Sequence, residues 1–441
     1  MPTTYTTVPS PTEATFDNTL QGLRNYDPVS FVANLVQTYG DIVRLPFGTQ
    51  DIYLLNHPDF IRDVFVNKSS YFAKRKDTTS EGTYLHQISG ILPLFEGQLG
   101  TTYAPIMVNA ALHTDGRWDA IHQEHDLLRV DIYKEVMRIT LEIVFKTLFQ
   151  ADVEAEAGKV ADAIVTMDVG YGFDPIAALL NDLVPSTPVS MTPEAEAARS
   201  YMLNLMLSLI QAHRADPPDS TKSLFFWLSK QQVNGQIISE EQIADQALKI
   251  MFSMHEVTAT TLSWAWYLLS QYPEVEARLH AELTSVLAGR TPTFENLPNL
   301  PYTEMLLKEV RRLYPSVWIV GRFVRDDVSF GDYLVPAGSI LLFSQRLMHR
   351  DRRYFVNPDR FDPLRWTQEA QAARPEFSYF PFSAGPRQCA GRDFAPTKDA
   401  LILATLAQHW QARLVPGQQL EPYPQKSFTP RYGIQMTLHR R

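Results

Sequence analysis

The chain has 441 residues, of which 45% are hydrophobic, and its 49 acidic and 40 basic residues give a formal net charge of −9. This balance, together with the lack of any basic run, argues against a nucleic-acid-binding protein. The single cysteine, Cys389, excludes an intrachain disulfide and favours a reducing compartment, so we predict a cytoplasmic protein.

The domain organisation predicted from the sequence is simple. No Gly/Ser-rich or charged linker divides the chain, which favours one domain over residues 21–441 rather than two or three small ones. Residues 1–20 are rich in Thr, Pro and Ser and are predicted to form a loose tail. No lysine or arginine precedes Arg24 and no long apolar run occurs, so we expect neither a signal peptide nor a membrane anchor.

The amino-terminal half alternates short strands and helices. Residues 41–55 predict two strands around a glycine turn, and Pro58 occupies the first position of a short helix that ends near Val66. Residues 78–100 show no sustained period and are predicted to be loop. Further helices are expected at residues 134–149, with helical sequence continuing to about 183, at 193–215 and at 221–232.

A long central helix is predicted next. Ser239 and Gln242 form a capping box, and the helix that follows continues to Tyr272, long enough to cross the whole domain. It contains the pair His255-Glu256, but Ala259 stands where a zinc protease helix would carry its second histidine, which excludes that site.

Helical and strand patterns continue towards the carboxyl end. A helix over 302–314 ends before Pro315 and places Glu309 and Arg312 on one face, at positions i and i+3. Residues 332–343 predict hairpin strands.

The cysteine turn, residues 382–391, carries the strongest chemical signal. Gly385 can adopt positive φ, and Gly391 leaves space for a bulky group beside the backbone. Helical spacing follows, so Cys389 is expected at a helix entrance, where free N–H groups stabilise a thiolate. A buried cysteine acting as a small hydrophobe is the alternative. The glycines and Arg387 favour a metal-ligating thiolate.

This turn resembles a known signature. Phe382, Gly385, Arg387, Cys389 and Gly391 reproduce the pattern Phe-x-x-Gly-x-Arg-x-Cys-x-Gly of the cytochrome P450 family, the haem-thiolate monooxygenases. The resemblance implies a mainly α fold with small β-sheets (α+β), with haem b buried between the central helix and the cysteine turn. It implies Cys389 as the axial iron ligand, Arg387 as a propionate partner and Phe382 as a shield over the sulfur.

The resemblance extends to supporting residues. Glu309, Arg312 and Arg365 resemble the family's Glu-x-x-Arg triad, which would lock the segment leading to Cys389, and Arg322 matches the strand arginine that binds the second propionate. By analogy the substrate would contact a mostly apolar set, which implies an apolar substrate. That set is Met251, Met254, Ser316, Ile319, Val320, Phe428 and Thr429.

The oxygen-binding segment departs from the family pattern. Met254 replaces the usual glycine and Val257 the usual threonine, while Glu256 keeps the acid position. Ser253, at i−4 from Val257, is a candidate replacement hydroxyl. The alternative reading, that Met254 and Val257 are simple core residues, stays open.

A second departure precedes residue 106. Residues 98–106 already resemble the region beyond the helix that carries the family's Trp-x-x-x-Arg motif, so that helix is predicted to be missing.

Three functional hypotheses follow. The first is a soluble haem-thiolate oxidoreductase that hydroxylates or otherwise oxidises an apolar small molecule, using O2 and a separate ferredoxin- or flavodoxin-type electron donor. The second is peroxide-dependent oxidation or a non-oxidative rearrangement, motivated by Met254, Val257 and the missing helix. The third is a catalytically degenerate relative that serves as a binding or recruitment protein.

Overall fold

The fold is mainly helical with small β-sheets, as the sequence predicts. The structure is a computed structural model, and it describes residues 5–12, 27–47, 50–73, 99–124, 127–152, 156–170, 191–215, 223–233, 236–424 and 427–441. Residues 78–98 of the predicted loop, the segment before residue 99 from which a helix is predicted to be missing, and the helical sequence predicted for 171–183 lie outside the described residues. The last two residues of the predicted loop, 99 and 100, instead begin a π-helical segment, Leu99–Tyr103.

The amino-terminal elements build the edge of the main sheet. Helix α1 (Pro28–Tyr39) begins where the Asp27 side chain accepts a hydrogen bond from the Val29 N–H. Strands β1 (Ile42–Phe47) and β2 (Gln50–Leu55) form the predicted antiparallel pair. Helix α2 (Pro58–Arg62) continues as a π turn, Asp63–Asn67, and strand β3 (Phe72–Ala73) follows.

The predicted loose tail is corrected for residues 5–12. The Thr6 N–H donates to the Asp332 carbonyl and the Arg44 N–H donates to the Pro9 carbonyl, each at 2.9 Å. Val8 is buried in the apolar cluster beneath the sheet. These contacts involve residues that are distant in sequence, which is why local composition does not reveal them. Residues 1–4 and 13–20 lie outside the described residues.

Helices form the larger layer. They are α3 (Ala104–Glu124), α4 (Ile132–Val144, continued by a π turn to Phe149), α5 (Ala157–Gly170), α6 (Pro193–Ala215) and α7 (Leu224–Ser229), with strand β4 (Leu128–Asp131) between the first two. Helix α7 is shorter than the predicted 221–232, because Gln232–Val233 (β5) pairs with Gln236–Ile237 (β6) in a hairpin.

The central helix is α8 (Glu240–Gln271), with 32 residues and a length of roughly 48 Å at 1.5 Å per residue. Its capping box is present: Ser239 Oγ accepts from the Gln242 N–H, and Gln242 Oε1 accepts from the Ser239 N–H at 2.8 Å. Helices α9 (Pro273–Leu287) and α10 (Pro301–Leu313) follow.

The remaining strands complete the main sheet. The elements after α10 are β7 (Ile319–Val324), β8 (Val328–Phe330), β9 (Tyr333–Val335), β10 (Ile340–Ser344), α11 (Gln345–Met348), α12 (Gln368–Ala372), α13 (Phe394–Ala407), β11 (Trp410–Leu414), β12 (Pro422–Pro424), β13 (Phe428–Pro430) and β14 (Gln435–Arg440). The five-stranded sheet has the order β1-β2-β10-β7-β3, with β10 parallel to β2, and a three-stranded sheet has the order β11-β14-β4.

The largest apolar cluster joins α3, α4, α8, α10 and α13. It therefore holds together the central helix, the Glu309 helix and the helix that follows Cys389. Over the residues that the structure describes, no helix is both long and apolar enough to cross a membrane.

Candidate active site around Cys389

The cysteine turn is tightly constrained at one glycine and open at another. Gly385 has φ +68°, and a Cβ there would lie 1.9 Å from the Phe65 carbonyl oxygen in the π turn after α2. A Cβ on Gly391 would meet only the sulfur of Cys389, at 3.8 Å. The Cys389 N–H donates to the Phe382 carbonyl at 2.8 Å. The main chain thus holds the cysteine while one side of its sulfur stays open.

The surroundings of the Cys389 sulfur do not favour its thiolate form in the way that the sequence predicts. Helix α13 begins only at Phe394, after a turn over residues 390–393, so Cys389 does not occupy the first helical turn. Its surface is exposed, yet the surrounding protein desolvates the sulfur and raises the pKa of the thiol, against the lowering effect of the Gly391 backbone N–H. A metal ion bound to the sulfur would supply the missing stabilisation, because coordination deprotonates a thiol.

Two guanidinium groups lie together at this site. Arg322, on β7, is buried and donates to the Gly321 carbonyl at 2.8 Å. Burial, and then the like charge of Arg387, lower the pKa of Arg322 to about 10. No carboxylate among the described residues forms an ion pair with Arg322. A buried cation of this kind suits an anionic ligand, so a thiol with two neighbouring guanidinium groups fits haem and its propionates.

A network of ion pairs with a fully buried centre supports the segment that leads to the turn. Glu309 and Arg312 have 0% side-chain exposure, and the Arg312 guanidinium donates two bonds of 2.8 Å to the Glu309 carboxylate. Arg365 Nε donates to Glu309 at 3.2 Å. Arg312 Nη1 also donates to the carbonyls of His349 and Pro358. The predicted triad is therefore brought together, and it ties residues 349–365 to α10.

Two members of this network were not predicted. Trp366 Nε1 donates to Glu309 at 3.0 Å, and His349 Nε2 accepts the Phe380 N–H at 3.1 Å. Burial lowers the pKa of His349 well below its usual value, so the ring is neutral and can accept that bond. The only sequence signal was position: Trp366 follows Arg365 directly, and Phe380 precedes the cysteine turn.

The predicted catalytic segment of α8 is partly corrected. Glu256 and Val257 are half-buried, and the Val257 carbonyl accepts from Ser316 Oγ at 3.1 Å. Ser253 is exposed, and its hydroxyl donates to the Ile250 carbonyl of its own helix at 2.8 Å. Since its proton is already used, the structure does not support Ser253 as the replacement hydroxyl.

The predicted substrate-contact residues differ in burial. Met254, Val320 and Thr429 are half-buried and stay available to line a cavity. Met251, Ile319 and Phe428 are buried in the core clusters. Ser316 is buried and uses its hydroxyl on α8. Apolar periodicity alone does not distinguish a core residue from one that faces a cavity.

Gly385→Ala tests the fit of the cysteine turn. We expect the free energy of unfolding of the haem-free protein to fall by about 2–3 kcal/mol, because backbone strain adds to a collision with the Phe65 carbonyl. The control is Gly338→Ala, which has φ +85° but open space around a Cβ. Equal losses in urea denaturation of the two variants would contradict a tight contact at Gly385.

Comparison with known proteins identifies the family. The family model described as Cytochrome P450 matches residues 9–438. The chain belongs to the cytochrome P450 family. This P450 is 30% identical over 423 residues to cyclooctatin synthase of Streptomyces melanosporofaciens, covering 91% of this chain and 89% of the relative. It is 27% identical over 409 residues to pentalenene oxygenase of Streptomyces avermitilis, covering 90% and 89%.

Solved P450 structures share the fold. The retinoic acid bound cyanobacterial CYP120A1 superposes with a TM-score of 0.77 at 22% identity, covering 94% of this chain and 96% of that one. The cytochrome P450DA heme domain gives a TM-score of 0.79 at 20% identity, covering 99% and 98%. Membership of the family makes the protein an oxidoreductase enzyme, and the family implies haem ligated by a cysteine thiolate.

Proposed function

We propose that this P450 is a monooxygenase of an apolar small molecule, with haem b ligated by Cys389 in a single domain over residues 21–441. The observation that carries the proposal is the cysteine turn with two guanidinium groups beside it, Arg322 and Arg387. Bound haem would supply O2 activation, which a thiolate ligand promotes by donating electron density to iron.

The chain's own residues have distinct roles in this proposal. Cys389 holds the iron, Arg322 and Arg387 bind the propionates, and Phe382 covers the sulfur while its carbonyl anchors the Cys389 N–H. Glu309 and its partners keep the segment before the turn in place. Each role is positional, so the protein contributes binding and orientation.

The substrate in this proposal is a largely apolar molecule of the terpene kind. Met254 and Val320 are apolar and half-buried, and such side chains bind ligands through contact area rather than hydrogen bonds. Relatives named pentalenene oxygenase and cyclooctat-9-en-7-ol 5-monooxygenase support the same class. Electrons would come from a separate ferredoxin- or flavodoxin-type donor.

A haem titration tests the proposal. The purified protein should bind one haem and, after reduction under carbon monoxide, show the absorption band typical of thiolate ligation. A bound haem without that band would exclude Cys389 as the ligand, and the lack of any haem binding would reject the proposal as a whole.

A second candidate function is peroxide-dependent oxidation. It is favoured by one observation on α8. Position 257 is a valine, which has no hydroxyl, and the hydroxyl of Ser253 already donates to the Ile250 carbonyl. O2 chemistry would then lack the hydroxyl that the family's threonine supplies at this position, whereas peroxide brings its own protons and electrons. Product formed with peroxide but not with O2 and an electron donor would select this candidate.

Val257→Thr discriminates between the two candidates. Under the monooxygenase proposal, the added hydroxyl should increase product per electron consumed by about tenfold, which is less than the roughly 10²–10⁴-fold that a positioned proton donor contributes to a rate. The matched control is Val286→Thr, a half-buried position on α9. Equal product yields in both variants and the parent would show that position 257 does not limit O2 use.

A further inference from the structure

Two adjacent charges interrupt the most apolar helix near the site. All but two residues of α13 are buried, and Lys398 and Asp399 are each only 1% exposed. Burying a charge is costly unless it is paired or hydrogen-bonded. Asp399 is paired, because Arg311 Nη2 on α10 lies 2.5 Å from its Oδ2. Lys398 makes a different contact, which points to a specific task.

Lys398 reaches the main chain of α8. Its Nζ donates to the Met254 carbonyl at 2.9 Å. In an α-helix that carbonyl already accepts the N–H four residues on, here that of Thr258, so Lys398 is an additional donor from another helix. Extra donors inserted beside the helical ladder are a recognised cause of local helix bending.

A second carbonyl of the same helical turn is held in the same way. The Val257 carbonyl accepts from Ser316 Oγ at 3.1 Å, and from Thr261 Oγ1 at 3.0 Å. The stretch from Met254 to Val257 is therefore fixed from two sides, by α13 and by the segment after α10. This is the stretch in which the sequence departs from the family's oxygen-binding pattern.

The same charges also reach the cysteine turn. The guanidinium of Arg311, which pairs with Asp399, lies over the Phe382 ring, 5.6 Å from its centroid. The Phe382 carbonyl in turn accepts the Cys389 N–H. Contacts thus run continuously from Met254 through Lys398, Asp399 and Arg311 to the cysteine turn.

Lys398 stays charged in this buried environment. Burial lowers its pKa to about 8, while Asp399 acts in the opposite direction, so the ammonium form predominates at pH 7. Neighbouring His255 is neutral at that pH, because burial lowers its pKa to about 4.

We infer that Lys398 is a positioning residue that fixes the main chain of α8 at Met254, and that Asp399 and Arg311 tie this placement to the cysteine turn. The consequence at the iron rests on the proposed function, but the placement of Met254 does not. The position of Met254 relative to Cys389 is then set by α13 rather than by the sequence of α8.

Methionine methyl NMR on the haem-free protein tests this role. All 12 methionines are labelled at the methyl carbon. Lys398→Leu should shift and broaden the Met254 signal. The signal of Met348, which lies in the apolar cluster beneath the main sheet, should stay unchanged. Lys308→Leu is the matched control, because Lys308 Nζ makes a surface pair with Glu304. It should leave Met254 unchanged.

A second variant guards against simple misfolding. Lys398→Gln keeps an N–H donor on a shorter side chain and should move the Met254 signal less, in the same direction. An unchanged Met254 signal in both Lys398 variants overturns the inference, as does an equal shift of Met254 and Met348, which would indicate general loosening.

The result also separates this inference from the proposed function. A Met254 shift in a protein that fails to bind haem would leave the positioning role standing and reject the haem-thiolate proposal. A thiolate-type band in the parent protein, together with an unchanged Met254 signal in the Lys398 variants, would support the haem-thiolate proposal and reject the positioning role.

Discussion

Replacing Cys389 with alanine is expected to abolish the thiolate-type absorption band of the reduced, carbon monoxide-bound protein and to stop turnover, while leaving the fold intact. The sulfur is the only cysteine sulfur in the chain, so no other thiolate can replace it. The fold should survive because the bond from residue 389 to the Phe382 carbonyl uses the main-chain N–H, which alanine keeps.

The measurements are the reduced carbon monoxide spectrum, the product yield and the thermal midpoint of the haem-free protein. Cys389→Ser serves as the control, since its hydroxyl preserves size and polarity but is a much weaker ligand than a thiolate, so the band should also be lost. A band that persists in Cys389→Ala would rule out this ligand. A parent protein with the band but without turnover would favour the recruitment hypothesis.

Glu309→Gln is expected to lower the free energy of unfolding by about 3–5 kcal/mol, the range for breaking a buried ion pair on one side. Arg312 has 0% exposure, and Glu309 carries the charge that balances it. The carboxylate also accepts from Arg365 and Trp366, and the glutamine amide replaces one of its acceptor oxygens with a donor. Urea denaturation of the haem-free protein measures the loss.

Glu304→Gln is the matched control on the same helix. Its carboxylate pairs with Lys308 at the surface, with 62% side-chain exposure, so its loss should cost less than about 1 kcal/mol. Similar losses in the two variants would contradict a special role for the buried network. We also expect weaker haem retention in Glu309→Gln only, because residues 349–365 lead into the cysteine turn.

Much of the fold was predictable because its signals are local. The capping box at Ser239, the proline at the start of α2 and the strands around the glycine turn each depend on residues a few positions apart. Helix α6 has the bounds that its apolar spacing predicts, Pro193–Ala215. Patterns of this kind act over a few residues, so they can be recognised without the tertiary structure.

The differences between the sequence predictions and the structure come from contacts that residue spacing does not reveal, some with distant segments and some within a few residues. Residues 5–12 are held by Arg44 and Asp332, and Gln232–Val233 is held by hairpin pairing. Ser253 has the right helical position for a replacement hydroxyl, but its rotamer directs the proton to Ile250. Met251 has the spacing of a pocket residue but lies in the core. None of these outcomes follows from spacing alone.

The cysteine turn of the family, the pairing of Glu309 with Arg312 and the two departures at Met254 and Val257 could all be recognised from the sequence. These are matters of residue identity and short spacing. The tertiary structure alone decided where the buried charges meet: Trp366 at Glu309, Arg322 beside Arg387, and Lys398 at the Met254 carbonyl. A buried charge takes its role from the partner that packing brings to it, and packing joins helices far apart in sequence.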